Sequence, residues 1–170
     1  GVLYAGLMLT ADGPRVLEWN VRFGDPECQA LLPLLESDLL ELLLAASPGG
    51  GGLTGTRAVW RTGSCVTVVA ASEGYPGSYA TGIPIEVPDE LAAESAFGAT
   101  GVVVFHAGTR REDGRVVTAG GRVLGVTAVG DDLPAARDRA YGALGRIGGK
   151  GLRWRTDIGW RDLAREKSTA

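Results

Sequence analysis

Six residues, Ser47-Pro48-Gly49-Gly50-Gly51-Gly52, divide the chain into two textures. Proline lacks a backbone donor and four successive glycines have no side chain to pack. No helix or strand is expected to cross them, and they read as a flexible linker or boundary loop. Before them, leucines crowd residues 31–44; after them, β-branched residues gather in short runs separated by glycine. The chain holds 27 glycines in 170 residues without a three-residue period, so it is rich in turns rather than fibrous. With 45% hydrophobic and 22% charged residues it can build a core, which excludes wholesale disorder. Its longest apolar run falls far short of a bilayer, and no basic stretch leads into an apolar one at the N-terminus. Neither a membrane span nor a secretory signal is expected.

The net charge of −3 is unevenly distributed. Residues 1–48 carry only Arg15 and Arg22 against seven carboxylates, whereas the remainder carries 15 basic and 13 acidic groups. Neither part offers the dense basic field that binding to nucleic acid requires, although single arginines can still hold a small anion. Cys28 and Cys65 lie in different segments and form no metal-ligand or redox pair. The single histidine, His106, excludes any site that needs two. A reducing, cytoplasmic setting follows from the cysteine usage.

Val2 to Leu9 alternates poorly and is mostly apolar, which predicts a strand buried on both faces. Arg15 to Val21 follows after Ala11-Asp12-Gly13-Pro14, where Asp-Gly signals a hairpin and Pro14 argues against a plain two-residue turn. A strand of that kind needs more neighbours than one, so the rest of the sheet is expected upstream of Gly1. Glu27 to Leu35 and Ser37 to Ala46 predict two short helices or one kinked at Pro33, with Ser37 as a cap and Asp38 in the first turn. The leucines of 31–44 read as core. Past the glycines, strands are expected at 65–71, 101–106, 115–118 and 122–129, with a turn at 74–77. An amphipathic helix is expected over 133–147, opened by Asp131 or Asp132 and stopped by Gly148-Gly149. The class is α+β.

The richest stretch is Leu17-Glu18-Trp19-Asn20-Val21-Arg22-Phe23-Gly24-Asp25-Pro26-Glu27. A strand sends alternate side chains to opposite faces, so Leu17, Trp19 and Val21 anchor one face to a core while Glu18, Asn20 and Arg22 share the other. A carboxylate beside an amide oxygen suits magnesium, a hard cation that shares its shell with substrate phosphates. An arginine one step along suits a phosphoryl or acyl-phosphate group. On pattern alone, the commoner reading of the trio is the wet face of an antiparallel strand. The loop Gly24-Asp25-Pro26-Glu27 is either a plain turn into a helix or a cradle of two carboxylates and free N–H groups.

Residues 2–44, centred on Leu-Glu-Trp-Asn-Val-Arg-Phe-Gly-Asp-Pro-Glu, resemble the end of the ATP-grasp domain of the glycinamide ribonucleotide synthetases. Ser72-Glu73-Gly74-Tyr75-Pro76-Gly77, Phe105-His106-Ala107-Gly108-Thr109, Gly120-Gly121-Arg122-Val123-Leu124 and Arg155-Thr156-Asp157-Ile158-Gly159 resemble that family's C-terminal domain, in the family's order. Trp19 and Cys28 depart from the phenylalanine and threonine more usual there, and residues 148–151 are richer in glycine than usual.

The resemblance implies residues 1–48 as the end of an ATP-grasp domain built of antiparallel strands plus helix, 49–62 as linker, and 63–170 as a small mixed α+β C-terminal domain. It implies an ATP-dependent ligase that joins glycine to 5-phosphoribosylamine through glycyl phosphate in purine biosynthesis, the upstream part of the enzyme lying outside this chain. Glu18 and Asn20 then hold Mg2+ (or Mn2+), and Arg22 takes the transferring phosphate. Gly24, Asp25 and Glu27 face the amino-acid and ribosylamine substrates. On the residues themselves, Gly120-Gly121-Arg122 either presents N–H groups and a guanidinium, from Gly121 and Arg122, to the ribose phosphate or is a tight turn into a strand. Such a piece is expected to be inactive alone.

Two other readings stay open on the residues themselves. One is another ATP-grasp carboxylate–amine ligase, since the Glu-x-Asn-x-Arg trio is shared across that superfamily. The other is a non-catalytic binding module, for which the trio is ordinary surface. His106 reads as a structural histidine, Arg110, Arg111 and Arg115 as a solvated loop, and both cysteines as small buried hydrophobes.

Overall fold

The computed structural model describes residues 1–92 and 100–169, and its contacts separate two compact units, Gly1–Arg61 and Thr62–Ala170. The first opens with an antiparallel hairpin of β1 (Tyr4–Thr10) and β2 (Gly13–Asn20). The turn is a two-residue one after all. Thr10 pairs with Gly13, the Thr10 hydroxyl donates to the Gly13 carbonyl at 2.7 Å, and Pro14 lies in the strand opposite Leu9. A two-stranded ribbon has only edges, so a proline there costs no ladder bond that a third strand would need.

The hairpin corrects three expectations. β1 is not buried on both faces: Leu7, Met8 and Leu9 are half to three-quarters exposed, because no described layer covers the ribbon. Leu17, Trp19 and Val21 anchor nothing and are 64%, 60% and 87% exposed. Simple alternation also fails within β2. Gly6 pairs with Glu18 but Leu7 pairs with Val16, which leaves Leu17 as a bulge.

After Phe23 the chain enters α1 (Glu27–Leu31), which tightens into a 3-10 turn over Leu32–Leu34 as Pro33 removes a helical donor. α2 (Leu39–Ala45) follows. Its cap is Asp38 rather than Ser37: the Asp38 carboxylate accepts from the N–H groups of Leu40 and Glu41, whereas the Ser37 hydroxyl accepts from Val59 N–H. The leucines line an apolar cavity of about 360 Å³ with Leu53, Ala58 and Trp60, but none is fully buried, and Leu31, Leu40 and Leu44 are exposed. The glycine stretch folds back on α2, with Gly52 N–H donating to Ala45 O and the Ser47 hydroxyl to Leu44 O.

The second unit holds the core. Its main sheet runs β5 (Val102–His106), β8 (Arg122–Gly130), β3 (Ser64–Ser72), β9 (Leu152–Arg153), all antiparallel. A smaller sheet runs β4 (Pro84–Ile85), β7 (Arg115–Thr118), β6 (Thr109–Glu112). α3 (Asp89–Ala92) follows β4, α4 (Leu133–Leu144) follows β8 and α5 (Trp160–Thr169) closes the described chain. α4 lies across β3 and β8. It buries Ala136, Ala140, Ala143 and Leu144, one stripe at helical spacing, against Val66, Val68, Leu124, Val126 and Ala128. Asp132 is the cap, its carboxylate accepting from Ala135 N–H at 2.8 Å. The helix stops at Leu144, with Gly145 as its C-cap, short of Gly148.

Cys28 and Cys65 are half-buried and not joined by a disulfide. Arg110, Arg111 and Arg115 sit not in a loop but in the β6–β7 hairpin, turned by Asp113 and Gly114, both at positive φ. Asp-Gly between two short runs is the hairpin signal that the charge of this segment masked.

α4 also holds the loop before α5. Arg137 donates to the carbonyls of Thr156 and Ile158; the Tyr141 hydroxyl donates to Arg155 O and accepts from Ile158 N–H. Within the loop, Arg155 and Asp157 form a two-pronged ion pair at 2.8 and 2.7 Å. The Arg155 hydrogen bonds hold the Asp157 carboxyl below the ordinary aspartate range. A carboxyl lowered by folding contributes stability only while ionised, fully above its unfolded value and not at all below its folded one. The Asp157 carboxyl should therefore titrate, by NMR, at a lower pH than free aspartate, and Arg155→Gln should return it towards the ordinary value.

Candidate functional site

Cross-strand partners share a face, so Tyr4 opposite Asn20 and Gly6 opposite Glu18 place Tyr4, Glu18 and Asn20 on one side of the hairpin. The absence of a side chain on Gly6 leaves room for Glu18, whose Cγ would lie 3.0 Å from a Cβ there. Asn20 Nδ2 donates to Glu18 Oε1 at 3.1 Å, which joins the two headgroups. Oδ1 of Asn20 and Oε2 of Glu18 receive no hydrogen bond from the described residues.

Arg22 differs from its expected position. β2 ends at Asn20, so period-two counting does not reach it, and its Nη1 donates to the Phe23 carbonyl at 2.8 Å. Its charge is nevertheless felt at Tyr4. The Tyr4 phenol is raised above the usual tyrosine value, first by the charge of Glu27, with Glu18 adding and Arg22 opposing.

Gly24 is buried, and a Cβ there would fall on the Glu27 carboxylate, which would have to shift. The loop continues through a cis Asp25–Pro26 bond into the first turn of α1. Gln29 Nε2 donates to Asp25 Oδ1 at 3.4 Å. The Tyr4 hydroxyl donates to Glu27 Oε1 at 3.3 Å across 23 residues of sequence. Burial, with the charge of Asp25, pushes the Cys28 thiol up, so it is no ready nucleophile.

Glu18, Asn20, Gly24, Asp25 and Glu27 thus fall in one stretch of the first unit, and Tyr4, Gly6 and Gln29 join them. The period-two pattern of β1 carried the signal for Tyr4 and Gly6. Nothing local marked Gln29, whose Oε1 is buried without a donor among the described residues.

In the second unit, Gly121 is buried because the Tyr75 ring occupies the space a side chain would fill, and its carbonyl accepts from Ser72 N–H at 2.8 Å. Arg122 opens β8 and is exposed. His106 Nδ1 lies 3.1 Å from the Thr109 hydroxyl, beside a cavity of about 340 Å³ also lined by Arg110 and Arg111.

The family described as "Phosphoribosylglycinamide synthetase, C domain" matches residues 65–161, more than half the chain. The chain belongs to the phosphoribosylglycinamide synthetase family. That family's ATP-grasp (A) domain matches residues 1–28, the hairpin and loop just described. The chain is 51% identical over 167 residues to "Phosphoribosylamine--glycine ligase" of Rhizobium meliloti, covering 98% of this chain and 37% of that protein. It is 54% identical over 159 residues to the protein of the same name from Streptomyces coelicolor, covering 93% of this chain and 37% of that protein. A crystal structure of phosphoribosylamine–glycine ligase from Thermotoga maritima matches with a TM-score of 0.71 at 35% identity. That match covers 91% of this chain and 36% of that one. The chain therefore spans between a third and two-fifths of the length of these relatives.

The α+β architecture is that of the family's ATP-grasp end plus C domain. An ATP-grasp ligase family implies use of ATP and a divalent metal. The donor set fits a metal of one kind. Among the described residues, no three His, Cys, Asp or Glu side chains gather as a closed cage. A single carboxylate with an amide oxygen fits a hard cation that completes its shell with water and substrate phosphate. No described helix is long and apolar enough to cross a membrane.

Proposed function

We propose that this chain is the C-terminal part of an ATP-dependent ligase that joins glycine to 5-phosphoribosylamine, giving glycinamide ribonucleotide by way of glycyl phosphate in purine biosynthesis. The observation that supports it most is the joined Glu18–Asn20 pair beside Glu27 and Tyr4, inside the stretch that matches the family's ATP-grasp domain. Residues 1–48 supply the end of that domain, 49–62 the connection and 63–170 the C-terminal domain, working in the cytoplasm.

The chemistry explains the residue types. A carboxylate is a poor electrophile until one of its oxygens is made a leaving group. ATP transfers its γ-phosphoryl to glycine, releasing ADP; the ribosylamine nitrogen attacks the carbonyl carbon, phosphate leaves and the nitrogen loses a proton. Phosphoryl transfer is mostly positioning and charge stabilisation. Glu18 and Asn20 would hold Mg2+ (or Mn2+), which supplies charge neutralisation between phosphates when bound. Arg22 keeps N–H donors beyond the one given to Phe23 and offers them to the transferring phosphoryl. Asp25 and Glu27 receive the amino groups of the substrates at the Gly24 turn. Gly121 and Arg122 attend the ribose phosphate, Gly121 by seating Tyr75.

ADP release tests the reading. The complete protein, supplied with glycine, phosphoribosylamine, ATP and Mg2+, should release ADP, and the 170-residue chain alone should be silent. Turnover by the 170 residues, or a complete protein that prefers another acid and amine, would overturn it.

A further inference from the structure

We infer that Tyr4 is a positioning residue that fixes Glu27 as the receptor for the ammonium group of the amino-acid substrate. The inference rests on the ligase reading above and adds a residue that it leaves without a role. Two independent features converge on one carboxylate. From behind, Gly24 has no side chain, and the space a Cβ would need holds Glu27 Oε2. From the front, the Tyr4 hydroxyl donates to Glu27 Oε1 at 3.3 Å. An exposed glutamate in the first turn of a five-residue helix would otherwise sample several rotamers. Here the open space at Gly24 admits the carboxylate and the Tyr4 hydroxyl bonds one of its oxygens, so one orientation is favoured over the others.

Position supports the assignment. Tyr4 pairs directly with Asn20, so the strand that carries the Glu18–Asn20 pair also carries the partner of the residue that holds Glu27. The ammonium of glycine is two bonds from the carboxyl carbon, one of whose oxygens takes the phosphoryl group. Its receptor must therefore stand close to the groups that attend the phosphoryl transfer. Glu27 meets that condition: its carboxylate is bonded to Tyr4, which stands directly across the hairpin from Asn20.

The test uses the complete ligase and the variants Tyr4→Phe, Glu27→Ala, their combination and Gly24→Ala. Tyr4→Phe removes one oxygen and keeps the ring. It should raise the KM for glycine about tenfold while the KM for ATP and the Mg2+ activation constant stay within about twofold. Glu27→Ala should raise the glycine KM further, and adding Tyr4→Phe to it should change nothing beyond about twofold, since a residue that acts through Glu27 has nothing left to position. Gly24→Ala, whose new methyl must displace the carboxylate, should reproduce the glycine defect and keeps the inference testable if Tyr4→Phe folds poorly. If Glu27→Ala leaves the glycine KM unchanged, the assignment of Glu27 falls and the inference falls with it. If Glu27→Ala acts but Tyr4→Phe is silent, acts equally in the Glu27→Ala background, or raises every KM alike, the positioning role alone is overturned.

Discussion

Glu18→Gln in the complete ligase should lower kcat about 100-fold or more, while the thermal midpoint stays within a degree or two. The size follows from the proposed function, in which the change removes a full negative charge where Glu18 would hold a divalent cation against the phosphates. The selectivity follows from the structure. Glu18 is exposed, and its carboxylate bonds only Asn20 Nδ2 among the described residues, a bond that a glutamine oxygen can also accept. Fold and function are therefore separable at this side chain. Glu36→Gln, an exposed acid elsewhere in the same unit, is the control and should leave kcat unchanged. The measurement is a steady-state assay across a Mg2+ titration, with thermal melts alongside. A Glu18→Gln enzyme within about threefold of the parent at saturating Mg2+ would remove the metal role from this pair.

Leu144→Ala should cost about 3 kcal/mol, the middle of the range for deleting a buried leucine. Leu144 is 1% exposed and stands at the end of the α4 stripe, among the side chains that close the core of the second unit. Its loss removes burial and leaves a hole that the sheet cannot collapse to fill, because β3 and β8 are tied through eight paired positions. The comparison is Leu40→Ala in α2, 63% exposed, which should cost less than about 1 kcal/mol. Urea denaturation of the 170-residue chain reads both. The loss should appear in the transition reported by Trp154, which packs on that core. A cost below about 1 kcal/mol for Leu144→Ala would mean that α4 is not the lid of this core.

Legibility followed the range of the forces involved. Asp132 and the body of α4 were readable because a cap and a helical stripe are settled within a few neighbouring residues. β3 and β8 were readable because β-branched runs between glycines permit little else. Ser37 and Asp38 were not separable as caps by residue type alone, since both accept hydrogen bonds. The choice was decided by Val59, 22 residues away, whose N–H takes the serine oxygen. β6 was lost because charged residues at 109–112 resemble a solvated loop, although Asp113-Gly114 announced the turn. α5 was lost because its apolar stripe, Trp160, Leu163 and Ala164, is short and set among charged and polar residues.

The candidate site divides in the same way. Glu18 and Asn20 as a pair, and Gly24-Asp25-Pro26-Glu27 as a loop, were visible in the order of residues, since neighbours in a strand or turn meet whatever the rest of the chain does. Order alone also marked the family. It could not show that the apolar side of the hairpin lies bare, that a bulge at Leu17 interrupts the alternation, or that Arg22 stands beyond the strand. Nor could it bring Tyr4 to Glu27. Alternation tells which side chains travel together; only pairing and packing between distant segments decide what they face, because those contacts exist only once the chain has closed on itself.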